Sequence, residues 1–145
     1  MNERAGCLLR LLSEPYAVES VPVMRWQVRG VLTGWGMEAG TVADAAVVFS
    51  ELATNAVRHA RPVRGGRLIA QVSYGGRDAL LRVLVVDGAP DVMPPKCCRA
   101  ASSDAEGGRG LGLIAGLCLA WGVDVGAESK SVWALLPAAL RAEAA

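Results

Sequence analysis

The chain has 145 residues and a mass of 15.1 kDa, which suits one domain at ~100–200 residues per domain. Apolar residues make up 52% and charged ones 20%, so a chain disordered throughout is excluded. Fifteen Lys and Arg against fourteen Asp and Glu leave a net charge of +1, with no electrostatic basis for nucleic acid or an anionic membrane as the main partner. Mean hydropathy is high at +0.33. Even so, the longest nearly apolar stretch, 111–121, falls short of the ~20 residues a spanning helix needs. The N-terminal apolar run is broken by Arg10 and is shorter than a signal-peptide core of about 7–15 residues, so a cytoplasmic location is expected. Cys7, Cys97, Cys98 and Cys118 form no C-x-x-C pair, and His59 stands alone, so the cysteines read as reduced thiols without a zinc site.

In chain order, residues 6–12 read as a first strand, ended by Glu14-Pro15. Over 18–35 apolar residues recur at Val21, Met24, Val28, Val31, Leu32 and Trp35, the spacing of an amphipathic helix. Thr41 opens a second helix with a capping-box pattern that uses Asp44. That helix stops before Pro62. Strands are expected at 67–74 and 79–86, the latter nearly all apolar and so central. The stretch 88–109 is rich in Pro, Gly and Ser, and loops beyond ~12–15 residues are uncommon and often lids. A third helix is expected over 111–120, strands at 122–127 and 131–136, and a tail at 138–145. The predicted fold is a single α+β domain over 1–145, a two-layer sandwich. It has a mixed sheet of about five strands with three helices on one face.

Three features can carry chemistry. Glu51, Asn55 and His59 are spaced i, i+4, i+8, which puts them along one helical stripe. Asn is a poor residue for mid-helix, its oxygen is a hard ligand suited to Mg²⁺, and a Glu one turn away can polarise a hydroxyl. On spacing alone a solvated polar face fits as well. Asp87 ends the most apolar strand, before Gly88-Ala89-Pro90. There it either caps a turn or accepts a hydrogen bond from a ligand. Gly107-Gly108-Arg109-Gly110-Leu111-Gly112 enters the third helix, and glycine N–H groups at a helix start bind phosphate. No strand directly precedes it, which argues against a dinucleotide fold, and no P-loop pattern is present.

Together these strings resemble the Bergerat-type (GHKL) ATPase superfamily. They are most similar to the stand-alone anti-sigma-factor serine/threonine kinases of high-GC Gram-positive bacteria. FSELATNAVRHA resembles an N-box, VVDGAPDVMPP and EGGRGLGL two glycine boxes, and WGVDVGAESKSVWALLP the family's closing strands. The resemblance covers roughly 6–137. Ala89 and Asp91 replace two glycines of the superfamily's first glycine box.

The resemblance implies roles residue by residue. Asn55 would hold Mg²⁺ on the ATP phosphates. Glu51 would be the general base or orient the acceptor hydroxyl. Asp87 would accept from the adenine amino group, with Ser131 as a water-sharing neighbour. Arg109, Gly110, Leu111 and Gly112 would line the phosphates, His59 would help there, and 88–109 would be the ATP lid. The implied activity is transfer of the ATP γ-phosphate to an anti-anti-sigma-like protein, together with sequestration of a sigma factor by a homodimer formed through the first strand and helix. A nucleotide-sensing binding module without transfer is the alternative.

Overall fold

The computed structural model describes residues 6–63, 65–75, 79–92 and 116–142. The order of elements is β1 (Leu8–Pro15), α1 (Ser20–Gly34), α2 (Ala39–His59), β2 (Arg67–Gly75), β3 (Leu80–Asp87), β4 (Ala120–Val125) and β5 (Lys130–Pro137). The strands form one sheet in the order β1-β2-β3-β5-β4. Both helices lie on one face, with α2 over β3 and β5 and α1 beside it toward β1. The α+β sandwich is therefore as expected.

Every strand pairing is antiparallel, where a mixed sheet was expected. The reason lies in the connection between β1 and β2. A single crossover helix returns a chain parallel, whereas two helices packed as a hairpin bring it back to the end it left. Pro15 at the end of β1 thus pairs with Arg67 at the start of β2. The Tyr16 N–H donates to the Gly66 carbonyl just beyond, at 3.0 Å. β1 runs through Glu14 and Pro15 instead of stopping there. It is an edge strand, where proline is tolerated.

In α1 the buried residues are Ser20, Val21, Met24, Val28 and Leu32, whose apolar members follow the predicted stripe. α2 starts two residues before Thr41, and its N-cap Glu38 makes no side-chain cap bond. The capping box expected at Thr41 is not formed. The Thr41 hydroxyl accepts the Ala139 N–H at 3.1 Å, and the Glu38 N–H donates to the Ala139 carbonyl at 2.7 Å. Part of the expected tail is therefore bound at the helix start, and the Arg141 N–H also reaches the Gly36 carbonyl at 2.7 Å. Gly36 has φ +85°, a left-handed value at which glycine ends α1 without strain. The third helix falls mostly outside the described residues. Of it, Gly116 and Leu117 are helical, and β4 begins at Ala120 rather than at 122.

The core is the helix-facing side of the sheet under α2. Leu68, Ala70 and Val72 of β2, Leu81, Val83 and Val85 of β3, and Val132, Ala134 and Leu136 of β5 meet Phe49, Leu52 and Ala53 there. Side chains on a strand alternate faces. One further step along the row 81-83-85 reaches Asp87, and one further step along 136-134-132 reaches Lys130. The two are directly opposed across the β3–β5 ladder. Thus the same alternation that builds the core delivers two opposite charges to one end of it.

Candidate functional site

That end of the sheet meets the C-terminal half of α2. A small cavity lies between them, with Leu52 and Val132 as apolar wall and Asn55, His59, Asp87 and Lys130 as polar lining. Leu52, Asn55, Ala56 and His59 recur at steps of three and four, so one helix face supplies all four. Asn55 is half-buried and His59 is exposed at the helix end.

Asp87 and Lys130 are both about 2% exposed at their side chains, and the Lys130 Nζ lies 2.7 Å from Asp87 Oδ1. The same oxygen accepts the Ala89 N–H at 2.8 Å. Lys130 also donates to the Ala89 carbonyl at 2.9 Å. A buried charge is tolerated only when paired and hydrogen-bonded, and these contacts meet that condition. They also fix the loop after β3, whose turn is closed by the Val92 N–H on the Ala89 carbonyl at 3.1 Å. Sequence reasoning left Asp87 as a turn cap or a ligand acceptor. Its carboxylate does bind the turn, and it also lines the cavity.

Gly88 ties this turn to the exit of α2. Its N–H donates to the Arg61 carbonyl at 2.7 Å. A Cβ there would collide with the Pro62 carbonyl oxygen, so glycine is required for close approach rather than for an unusual φ. Tyr16, just past β1, donates its hydroxyl to the Ala56 carbonyl on α2. Burial, and then the Asp87 charge, raise the Tyr16 phenol above its ordinary value. At the rim, Arg61 and Asp91 form an exposed ion pair at 2.5 Å. The Arg61 hydrogen bond holds the Asp91 carboxyl below its usual range.

The structure brings Asn55, His59 and Asp87 to one cavity. Glu51 is half-buried one helical turn before Asn55 and does not line that cavity. Ser131 pairs with Val86 and Asp124, and alternation turns it to the face away from α2. The cross-strand partner of Asp87 is Lys130, one residue before Ser131. Arg109, Gly110, Leu111 and Gly112, and the lid beyond Val92, lie outside the described residues. Lys130 escaped sequence reasoning, although a signal existed. It is one of only two lysines in the chain, Lys96 being the other, and it opens a period-two strand.

The donor set fits a nucleotide. Asp87 offers a carboxylate to a base donor at the cavity floor. Asn55, one turn before His59 on α2, offers an amide oxygen to the lining. No group of three or more His, Cys, Asp or Glu that could hold a metal exists among the described residues. This is compatible with Mg²⁺, which is usually held by one or two side chains together with substrate phosphates. No described helix is long and apolar enough to cross a membrane.

No curated protein matches the chain. Among solved structures, the RsbU and RsbW domains of Rv1364c from Mycobacterium tuberculosis match with a TM-score of 0.65 and 17% identity. The match covers 90% of this chain and 32% of that one, a likeness of fold. The model of the histidine kinase-like ATPase domain matches residues 15–135. That span takes in both helices, β2, β3 and β4, β5 up to Leu135, and of β1 only Pro15, and the chain belongs to the histidine kinase-like ATPase domain family.

Proposed function

We propose that the protein is an ATP-binding serine/threonine kinase that acts in the cytoplasm as an anti-sigma regulator. It would transfer the γ-phosphate of ATP to an anti-anti-sigma-like partner. The observation that carries the nucleotide part is the convergence of Asn55, His59 and Asp87, from α2 and β3, on one cavity in a chain of the histidine kinase-like ATPase family. In this reading Asp87 would accept from the adenine amino group, and Asn55 would hold Mg²⁺. Arg109, Gly110, Leu111 and Gly112 would line the ATP phosphates. When bound, Mg²⁺ would supply charge neutralisation for phosphoryl transfer, and Glu51 would orient or deprotonate the partner's hydroxyl. The kinase branch rests on the anti-sigma-kinase strings in the sequence and agrees with the fold shared with a chain that includes an RsbW domain.

One observation favours a second reading, a nucleotide-sensing module that binds its partner without transfer: Glu51 does not line the cavity. A pull-down with and without ATP, followed by phosphosite mapping, identifies the partner. Single-turnover transfer from γ-labelled ATP to that partner then separates the readings. A kinase labels the partner, and Glu51→Gln slows labelling by at least ~10² while ATP and partner still bind. A wild-type protein that binds both and labels nothing is a binding module.

A further inference from the structure

Lys130 directs two of the three N–H donors of its ammonium to Asp87 Oδ1 at 2.7 Å and to the Ala89 carbonyl at 2.9 Å. Lys130 and Asp87 both line the cavity. Its floor therefore offers, side by side, a carboxylate that only accepts and an ammonium that only donates. A carboxylate alone selects a base by its donor. It welcomes the amino group of adenine and repels the 6-keto oxygen that guanine or hypoxanthine carries at the same ring position. An ammonium at hydrogen-bond distance from that carboxylate lifts the exclusion. A 6-oxopurine presents a keto oxygen beside a ring N–H. With its edge turned over, the oxygen takes the third Lys130 N–H, which has no partner among the described residues, and the ring N–H donates to Asp87. Adenine satisfies the same pair in the opposite sense, its amino group on Asp87 and its ring N1 on Lys130.

We infer that Lys130 is a specificity-determining residue of the nucleotide pocket and that it admits 6-oxopurine nucleotides alongside adenine nucleotides. This rests on the reading of the cavity as a nucleotide pocket. A lysine that served only to neutralise Asp87 would leave guanine nucleotides excluded, so base choice distinguishes the two roles.

The test is calorimetric titration of the full chain with ADP and with GDP, each with Mg²⁺, for wild type, Lys130→Met and Lys130→Thr, with circular dichroism to establish folding. The expected result is wild-type affinities for ADP and GDP within about ten-fold of each other. In either folded variant, affinity for GDP should fall at least about ten-fold more than affinity for ADP, because the keto oxygen loses a charged donor. Wild type that binds ADP but binds GDP at least 100-fold more weakly, on a ten-fold scale of 1.4 kcal/mol, overturns the inference even if neither variant folds. So does an equal loss of both nucleotides in a folded variant. Wild type that binds neither overturns the nucleotide reading itself, and this inference with it.

Discussion

Two ion pairs flank the loop after β3, and they differ in almost everything but distance. Lys130–Asp87 at the cavity floor is 2.7 Å long and about 2% exposed on both sides. Arg61–Asp91 at the rim is 2.5 Å long, with side chains 57% and 67% exposed. At the rim, water and salt screen the charges, and such a pair contributes little. At the floor both charges have left water, so each is tolerated only because of the other. Proximity alone says little about strength. Burial decides whether losing one partner is trivial or disruptive.

The largest effect should therefore come from removing half of the floor pair. Lys130→Met leaves a buried carboxylate uncompensated and should destabilise the fold by about 3–5 kcal/mol, as read by urea unfolding. Removing both charges, with Asp87→Asn and Lys130→Met together, should recover most of that loss, since an apolar replacement for a buried pair is often neutral. A double variant no more stable than the single one would break the contrast between floor and rim.

Next in size is Gly88→Ala. The new methyl meets the Pro62 carbonyl oxygen, a backbone group that cannot rotate away. Overpacking of this kind costs about 1–3 kcal/mol. The same substitution pushes the Asp87 turn from the exit of α2, so nucleotide affinity should fall with stability. An unchanged melting temperature would show that the two loops separate freely.

Arg61→Ala, which breaks only the rim pair, should leave the urea midpoint almost unchanged, because both side chains face solvent. It should raise the Asp91 titration toward the usual carboxylate range, because the Arg61 bond that lowers it is gone. A pH titration of Asp91 by nuclear magnetic resonance reads this directly.

The smallest effect concerns cysteine. Burial pushes the Cys118 thiol up to about 11 from an ordinary 9.0, whereas Cys7 is exposed. Peptide mapping after brief iodoacetamide treatment at pH 8 should find Cys7 alkylated well before Cys118. The folded thiol holds its proton more tightly than the unfolded one. Its contribution to stability is thus complete below pH 9 and is lost as pH rises toward 11.

Periodicity made the frame of the molecule legible. The steps of three and four at Val21, Met24, Val28 and Leu32 place α1, and the apolar run before Asp87 marks β3 as central. The sense of the sheet was not legible from local pattern, because it depends on two helices returning the chain to the end it left. Thr41 looked like a cap by composition, yet its hydroxyl is taken by Ala139, almost a hundred residues later in sequence. At the site, Asn55 and His59 could be placed on one stripe because a helix fixes their spacing. The neighbour of Asp87 could not be placed, because it depends on the register of β3 against β5. A shift of one residue exchanges Lys130 for Ser131.

The most direct test of the account is calorimetric titration of Mg²⁺–ATP into wild type and into the Asp87→Asn, Lys130→Met double variant, whose floor is uncharged and whose fold should persist. The account predicts one nucleotide per chain for wild type. In the folded double variant it predicts at least a ten-fold loss of affinity, since a lost charge-assisted hydrogen bond costs about 1.5–3 kcal/mol. Equal affinity in the two proteins, or no binding by wild type, would contradict it.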